Sequence, residues 1–358
     1  MAQNSQRNLK QAGRRSLVIL GTLTLTAALT VGSVHAATTT ASNAPDPAQV
    51  ITKKSGQSAA EITAYWTPAR IKEAEPTRPT DLDGERKVSA LPAAKLPTIS
   101  APGTQPVKAP APVPTPGNVG LNVVQAQRWN SHGVMPARTV GKLFYTNDQG
   151  ANRFCSASVI SANNRNTIWT AGHCVHREDG GGDQGWFTNF MFRPDFDAGS
   201  SLGAWGWELA AAPQGWTEDG DWAYDIAAIA LAPNASGNVQ DVTGSQGYHF
   251  NSGSHDYQVY AFGYPEDSAP TDRPEIDGQR LWYCTGATWK PFLDSRMGFH
   301  CDMFHGASGG PVIYDLQLAR GWGYIISANS WHYFDNDEWR DPYLGDAAVN
   351  VYNAVKDQ

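Results

Sequence analysis

The sequence lacks three features that would point to common classes of protein. It has no excess of basic residues, since its 358 residues carry a formal net charge of −7, and this argues against a surface built to bind nucleic acid. It has no apolar run after residue 34 that could span a bilayer. It also has no Cys-x-x-Cys pair among its four cysteines, which argues against a zinc site.

The N-terminus has the pattern of an export signal. Basic residues open it, an apolar run extends from Leu17 to Val34, and small residues around Ala36 match a signal-peptidase site. Residues 1–36 are therefore predicted to be a signal peptide, and the protein is predicted to be secreted and extracellular. The alternative is a membrane anchor, for which the run is barely long enough and is diluted by threonines.

Residues 37–117 differ in composition from the rest of the chain. They are rich in Pro, Ala, Thr and Lys, and they contain no cysteine. This predicts a poorly structured front that ends in a proline-rich linker, apart from a short helix between Ala59 and Glu75. In a secreted chain it indicates the pro-segment of a zymogen, with Arg128 and Arg138 as candidate cleavage sites. A cell-wall spacer that stays attached is the alternative.

Residues 118–358 have the pattern of a compact all-β domain. Twelve of the thirteen tryptophans lie here, and short β-like runs alternate with Gly, Asn and Asp turns. The absence of βα alternation favours a sandwich or a barrel. The last segment differs, because Ala348, Val351 and Val355 share one helical face and Asp346 can cap its start. The prediction is an all-β domain closed by a C-terminal helix.

The four cysteines fit an oxidising exterior and allow three pairings. Cys155 and Cys174 lie symmetrically about a polar turn between two strand-like runs, so an antiparallel hairpin would bring them within bonding distance. Cys284 and Cys301 are likewise symmetric about the centre of their segment. The spacing therefore predicts the disulfides Cys155–Cys174 and Cys284–Cys301, and a zinc site is the alternative.

Three stretches carry residue types suited to nucleophilic catalysis. His173 ends a strand-like run, and imidazole is the side chain best able to take a proton near neutral pH. Asp225 precedes an apolar run that would carry it inward, where a carboxylate needs a partner such as a histidine N–H. Ser308 lies in Gly-Ala-Ser-Gly-Gly, whose small residues can expose a hydroxyl and bring backbone N–H groups close to a carbonyl. Each stretch alone also fits a purely structural role.

Together, the three stretches resemble the trypsin-like serine proteases of the chymotrypsin fold. Thr-Ala-Gly-His-Cys at His173, Asp-Ile-Ala-Ala-Ile-Ala-Leu from Asp225 and Gly-Ala-Ser-Gly-Gly-Pro around Ser308 occur in that family's order. The chain is most similar to the bacterial secreted branch, which includes the glutamyl endopeptidases. The resemblance implies an all-β fold of two six-stranded antiparallel β-barrels, with the active site between them and a boundary near residues 242–255.

The resemblance also implies the chemistry. Ser308 would attack a peptide carbonyl, His173 would take its proton and pass it to the leaving amine, and Asp225 would orient His173. The backbone N–H groups of Gly306 and Ser308 would form the oxyanion hole. The expected protein is a secreted monomeric serine endopeptidase acting on proteins or peptides through an acyl-enzyme. No metal, organic cofactor, nucleic acid or stable membrane association is expected.

One departure from the digestive members concerns activation. In those enzymes an aspartate precedes the nucleophile and pairs with the newly cut N-terminus, whereas this chain has Ala307 at that position. Activation by that salt bridge is therefore excluded. A pro-segment would have to act differently, by blocking the cleft or by assisting folding.

The resemblance suggests five candidates for the specificity pocket: Asp302, His305, Asn329, Ser330 and His332. Asp302 has the offset from the nucleophile at which trypsin holds the aspartate that binds basic side chains. Asn329 lies where glutamyl endopeptidases hold a histidine, although His305 and His332 could also face an acidic substrate. Ser330 and the tryptophan after it resemble the strand that pairs with the substrate backbone.

Other interpretations fit parts of the sequence. A catalytically inactive binding protein could share the scaffold, although such relatives usually lose a triad residue and this chain has all three. A secreted esterase with a Gly-x-Ser-x-Gly elbow is the enzymatic alternative, but that fold needs βα alternation and places its acid and histidine after the serine. The acidic glycine loop at residues 178–183 could hold calcium, but it lacks the usual ligand spacing and also fits a solvated loop.

Overall fold

The computed structural model of the protein describes residues 46–79, 86–107, 122–333 and 335–358. The predicted signal peptide, residues 1–36, lies outside these ranges. Strands dominate the described chain and form two large sheets and one small sheet. No helix in the described part is long and apolar enough to cross a membrane.

The strands and helices are numbered in chain order. The strands are β1 (Val50–Lys54), β2 (Glu75–Pro76), β3 (Ile99–Ala101), β4 (Val123–Arg128), β5 (Val140–Thr146), β6 (Asn152–Val159), β7 (Thr167–Thr170), β8 (Thr188–Pro194), β9 (Trp205–Pro213), β10 (Ala227–Leu231), β11 (Gly247–Phe250), β12 (Gln258–Gly263), β13 (Trp282–Ala287), β14 (Met297–His300), β15 (Pro311–Gln317), β16 (Trp322–Ala328), β17 (Trp331–His332) and β18 (Glu338–Asp341). The α-helices are α1 (Ala59–Tyr65), α2 (Pro68–Glu73), α3 (Gln214–Thr217), α4 (Val239–Thr243) and α5 (Asp346–Val355).

The first large sheet contains a closed six-stranded barrel. Its strands follow the order β9-β10-β7-β6-β5-β8, and β8 pairs back with β9 to close the ring. Every neighbouring pair in the ring is antiparallel. Fully buried apolar side chains from these strands belong to the main hydrophobic core, among them Leu143, Phe192 and Ile229. Burial of this kind is the dominant stabilising contribution to such a fold.

The second large sheet has seven strands in the order β3-β11-β16-β15-β12-β13-β4, and β14, β18 and β17 form a small separate sheet. A second core of buried side chains lies among these strands and includes Val259, Phe299 and Ile326. The mainly antiparallel strands and the closed barrel confirm the predicted all-β, chymotrypsin-like fold class.

The predicted C-terminal helix is present as α5, and its apolar face is buried against β9 and β10. Its first turn differs from the prediction. Gly345 is the N-cap residue, and Asp346 does not cap its own helix. The Asp346 carboxylate instead accepts hydrogen bonds from the backbone N–H groups of Lys95 and Leu96, at 2.7 and 3.1 Å. The helix start therefore holds part of the N-terminal region.

The described N-terminal residues, 46–79 and 86–107, are folded onto the domain. Strand β1 pairs with β9 and β3 pairs with β11, so each large sheet gains an edge strand. Ile62 and Trp66 are buried, and Trp66 Nε1 donates a hydrogen bond to the carbonyl of Asn189 at 2.6 Å. The short helix expected here is present as two, α1 and α2. The prediction of a poorly structured front is therefore wrong for these residues.

The four cysteines form the disulfides Cys155–Cys174 and Cys284–Cys301, with Cα–Cα distances of 6.1 and 5.8 Å. Strands β6 and β7 form the antiparallel hairpin that the spacing of the first pair predicts. Because no cysteine is free, none offers a thiolate to a zinc ion.

Both arginines considered as cleavage sites lie within the folded domain. Arg128 ends β4, which pairs with β13. Arg138 donates hydrogen bonds to the carbonyls of Gly133 and Val242. Cleavage after either residue would sever the chain between β4 and the rest of the domain. Neither arginine is therefore a suitable site for a cut that must leave the second large sheet intact.

Candidate active site

His173 lies in a short 3-10 turn, Gly172–Cys174, that follows β7. Strand pairing fixes one end of this turn, and the first disulfide fixes the other. The glycine before the histidine is needed for close approach, because a Cβ there would lie 2.8 Å from the ring of Trp216 and 3.0 Å from Asp225 Oδ1. The backbone therefore presents the imidazole in one position.

Asp225 lies two residues before β10 and is completely buried. Its carboxylate makes two hydrogen bonds to His173. Its Oδ2 lies 2.8 Å from His173 Nδ1, and its Oδ1 accepts the backbone N–H of His173 at 2.7 Å. The hydroxyl of Ser330 donates a third hydrogen bond, to Oδ2, at 2.5 Å. These bonds satisfy a carboxylate that would otherwise be costly to bury.

The charge states of this pair follow from its surroundings. Burial opposes ionisation of Asp225, but the positive potential and hydrogen bonds of His173, with the Ser330 hydroxyl, hold the pKa of Asp225 below its ordinary value. An ionised Asp225 requires the proton of a neutral His173 to sit on Nδ1, which leaves Nε2 as an acceptor. In the described part of the chain no group hydrogen-bonds to this Nε2.

Ser308 lies in a turn that β6 holds in place. The Ser308 carbonyl accepts the N–H of Ser156 at 2.7 Å, and the Ser156 hydroxyl donates to the carbonyl of Gly306 at 2.9 Å. The next residue, Gly309, has a φ of +77° and packs so closely on β7 that a Cβ would lie 2.0 Å from Thr170 Oγ1. The serine turn is thus fitted against the stretch that leads into the histidine.

The backbone N–H groups of Gly306 and Ser308 bond to no other group among the residues that the structure describes. Gly306 has a φ of +92°, and a Cβ there would lie 2.6 Å from the carbonyl oxygen of Tyr264. Glycine is therefore required where the chain turns. Two free N–H donors beside a serine can stabilise negative charge on a carbonyl oxygen.

A small pocket opens beside the serine. Four of the five specificity candidates line it, namely His305, Asn329, Ser330 and His332, together with Ser308. Sequence reasoning missed two aromatic residues of its wall, Phe304 and Trp339. Phe304 is next to a candidate and could have been found, whereas Trp339 reaches the pocket only through the pairing of β18 with β14 and β17.

Asp302, the fifth candidate, does not line the pocket. It is buried, its Oδ1 accepts the N–H of Ala126 at 2.6 Å, and its Oδ2 forms an ion pair with Arg273 at 3.0 Å. The carboxylate is therefore already satisfied and is not available to an arginine or lysine side chain in the pocket.

The two histidines of the pocket differ in environment. His332 Nε2 lies 2.8 Å from the carbonyl of Cys301, and burial lowers the pKa of His332 to about 4. It is therefore neutral near pH 7 and supplies no charge to an acidic substrate. His305 Nδ1 lies 2.9 Å from Asp267 Oδ2. Burial opposes ionisation of Asp267, but the bond to His305 and the charges of His305 and Arg78 hold its pKa below the ordinary value.

The N-terminal region contacts both sides of this site, and no sequence motif marked the residues that do so. Strand β2 pairs with β6, and the N–H of Thr77 donates to the carbonyl of Phe154 at 2.9 Å. The next residue, Arg78, forms an ion pair with Asp267 at 3.0 Å. Pro79 then lines the same pocket as the serine.

Beyond residues 80–85 the chain lies along the opposite side of the site. The N–H of Trp222 donates to the carbonyl of Lys87 at 2.9 Å, and the N–H of Ser89 donates to Asp221 Oδ1 at 3.1 Å. We call residues 75–79 and 86–89 together the cleft segment.

The acidic loop at residues 178–183 does not gather its carboxylates around a common point. No cluster of possible metal ligands in the described chain includes it. Its carboxylates pair with basic side chains: Glu178–Arg86, Asp179–Arg177 and Asp183–Lys53.

Comparison with known proteins identifies the family of this domain. Residues 133–355 match the family model described as Trypsin, which is more than half of the chain. The chain belongs to the trypsin family. It is a trypsin-like protease, and hence a hydrolase. No curated protein matches the chain.

Solved structures agree with this family. The protease Anisep from Arthrobacter nicotinovorans is 28% identical with a TM-score of 0.57, covering 65% of this chain and 100% of that chain. The thermostable serine protease AL20 from an extremophilic microorganism is 32% identical with a TM-score of 0.55, covering 62% and 98%. A Glu endopeptidase in complex with MPD shares the fold at 20% identity with a TM-score of 0.52, covering 65% and 97%. The predicted resemblance to bacterial trypsin-like proteases is confirmed.

Proposed function

We propose that this trypsin-family protein is a secreted serine endopeptidase that uses Ser308, His173 and Asp225. The observation that carries the proposal is the buried Asp225–His173 pair, which leaves His173 Nε2 unbonded among the described residues, while the serine turn packs on Thr170, three residues before the histidine. Two disulfides and the N-terminal export pattern support secretion.

The proposed reaction follows from these positions. Ser308 Oγ bonds to the substrate carbonyl carbon while His173 Nε2 takes the hydroxyl proton, and the N–H groups of Gly306 and Ser308 stabilise the oxyanion. The C–N bond then breaks, and His173 donates that proton to the leaving amine. A water molecule repeats the sequence on the acyl-enzyme and releases the acid. Asp225, steadied by Ser330, stabilises the charged form of His173 throughout.

The pocket supports an uncharged substrate side chain more than a basic one. Aromatic residues form much of its wall, and Asp302 is already paired with Arg273. His332 is neutral because burial lowers its pKa to about 4.

We further propose that the N-terminal region is a pro-segment that keeps the protease latent. The cleft segment supports this, because Pro79 lines the pocket of Ser308 and Lys87 and Ser89 bond on the other side of the site. A substrate would have to compete with Pro79 for space at this pocket. A cut that leaves β4 in place must fall before residue 123.

The direction in which the cleft segment runs would protect it from cleavage by Ser308. Residues 75–77 lie beside β6, and residues 86–89 follow on the Trp331 side. In acyl transfer the N-terminal part of a substrate stays on the serine, and in this family it pairs with the strand at Ser330 and Trp331. A substrate therefore runs in the opposite direction. A reversed peptide bond turns its nitrogen away from the proton on His173 and is a poor substrate.

A fluorophosphonate probe, which reacts with activated serines, tests this function. The protein is collected from culture medium as full-length and processed forms, and the label is mapped by mass spectrometry. We expect the label on Ser308 of the processed form, little on the full-length form, and none in a Ser308→Ala control. A folded, processed protein without label would favour the inactive binding protein instead.

A further inference from the structure

An aromatic cage holds the guanidinium of Arg86 beside the cleft. Its carbon lies 3.6 Å from the ring centroid of Trp331 and 4.3 Å from that of Trp222. The two indole rings meet at 69° with centroids 5.7 Å apart, so they form two walls of a corner. Glu178 Oε2 lies 3.5 Å from Arg86 Nη1, and only 13% of the Arg86 side chain is exposed. We refer to Trp222, Trp331 and Glu178 as the cage.

The cage is built for a cation. The faces of indole rings carry negative potential and attract a cation most strongly when it is withdrawn from water, as this guanidinium is. The carboxylate of Glu178 adds an opposite charge, and the planar guanidinium suits the flat ring surfaces. A neutral side chain of the same size would gain neither contribution.

The cage is also continuous with the catalytic residues. The Trp222 ring lies 5.7 Å from the imidazole of His173 at an angle of 31°. Trp331 directly follows Ser330, whose hydroxyl bonds to Asp225. A side chain in the cage therefore lies one ring away from the proposed catalytic base, on the side of the cleft where the acyl part of a substrate is expected.

We propose that the cage is a recognition site for an arginine or lysine side chain, filled by Arg86 in the full-length chain and by a basic residue of the substrate once the N-terminal region leaves. The substrate part of this proposal rests on the proposed function. It separates basic recognition from the pocket beside the serine, which Asp302 does not line because its carboxylate is paired with Arg273 elsewhere. We therefore expect the preference for a basic residue on the acyl side of the cleaved bond, at a position other than the one that enters the pocket beside the serine.

The first test needs no proteolysis. The full-length chain carrying Ser308→Ala and Arg86→Ala, which empties the cage, is titrated with N-acetyl-arginine methylamide and with the neutral isostere N-acetyl-citrulline methylamide. Tryptophan fluorescence follows binding. We expect the arginine amide to bind about tenfold more tightly, the strength of a desolvated cation–π contact. Trp331→Phe should weaken the preference for the arginine amide. Glu178→Gln should weaken it as well, and this change removes a charge without altering an aromatic side chain. Equal affinities would overturn the proposal.

The second test measures what Arg86 does in the chain with Ser308 intact. Arg86→Gln should speed fluorophosphonate labelling of the full-length chain about tenfold, whereas Arg86→Lys should keep most of the latency. Arg70→Gln is the matched control, because Arg70 also lies over a ring, 4.1 Å from Tyr65, but on α2. Equal labelling of the Arg86→Gln and Arg70→Gln chains would contradict the proposal. If no full-length variant is labelled, Arg86 does not set the latency and that part of the proposal is overturned. The titration still decides the cage, and labelling of the processed form still decides the protease.

Discussion

At the scale of residues, the pKa values of two buried aspartates near the cleft are shifted in opposite directions. Asp225 is bonded by His173 and Ser330, and these bonds outweigh burial and keep its pKa low. Asp341 is equally buried, but burial raises its pKa well above the ordinary value. Within the described part of the chain its side chain accepts one hydrogen bond, from the backbone N–H of Ser330 at 2.9 Å. The surroundings of Asp225 therefore favour its carboxylate form, whereas burial favours the neutral form of Asp341.

This difference predicts different outcomes for the same substitution. Asp225→Asn should lower kcat about 10,000-fold with little change in fold, because an amide no longer favours the His173 tautomer that accepts a proton on Nε2. Asp341→Asn should change kcat by less than about threefold, since the amide oxygen can still accept the N–H of Ser330. Peptide hydrolysis measured on both processed variants, with circular dichroism as a folding control, checks this. Equal losses would show that Asp341 is charged.

His332 should make stability depend on pH. Its pKa is about 4 in the folded chain against an ordinary 6.5, so the unfolded chain takes up a proton first as pH falls. The neutral folded form is therefore fully favoured above about pH 6.5, and this contribution is lost between about pH 6.5 and 4, to a total of about 3 kcal/mol. Urea unfolding at pH 7.5 and 4.5 of the wild-type and His332→Phe chains measures it. An unchanged pH dependence in the variant would contradict the assignment.

At the scale of elements, local patterns predicted what lies next to the proposed catalytic residues. Strand β7 before His173, β10 after Asp225 and the glycine turn at Ser308 each have a sequence signal of their own. The alternation of apolar runs with turns therefore predicted both the all-β class and the position of the three stretches. The terminal helix was also predictable, because its apolar residues recur with helical spacing.

Long-range partners could not be predicted in the same way. Strands β1 and β3 are short, and their partners β9 and β11 lie far along the chain, so no local pattern marks them. The offset from the nucleophile selected Asp302 but carried no information about Arg273, which pairs with it. The proline-rich composition of the N-terminal region led to the wrong prediction of a poorly structured front. Many prolines do not prevent edge strands from pairing with strands far along the chain.

At the scale of the whole molecule, the N-terminal region is attached to both large sheets. It adds β1 to the sheet of the closed barrel, adds β3 to the other sheet and places the cleft segment against the site. Ile62 and Trp66 anchor it in the main core, and Trp66 packs on Phe144 with ring centroids 5.4 Å apart. Attachment at several points leads us to propose that the region assists folding in addition to the proposed blocking of the cleft, because β3 covers one edge of the second sheet while the domain forms.

The folding role predicts how the chain responds to loss of the region. Deleting residues 46–107 should lower the yield of folded, secreted protein severely, and supplying that region as a separate chain should restore yield while suppressing activity. Trp66→Ala in the full-length chain should reproduce part of the defect, since removing a buried tryptophan costs about 3–5 kcal/mol. Secreted yield and fluorophosphonate labelling of Ser308 are the measurements. Equal yield from the deleted chain, with an active serine, would leave the region only its blocking role.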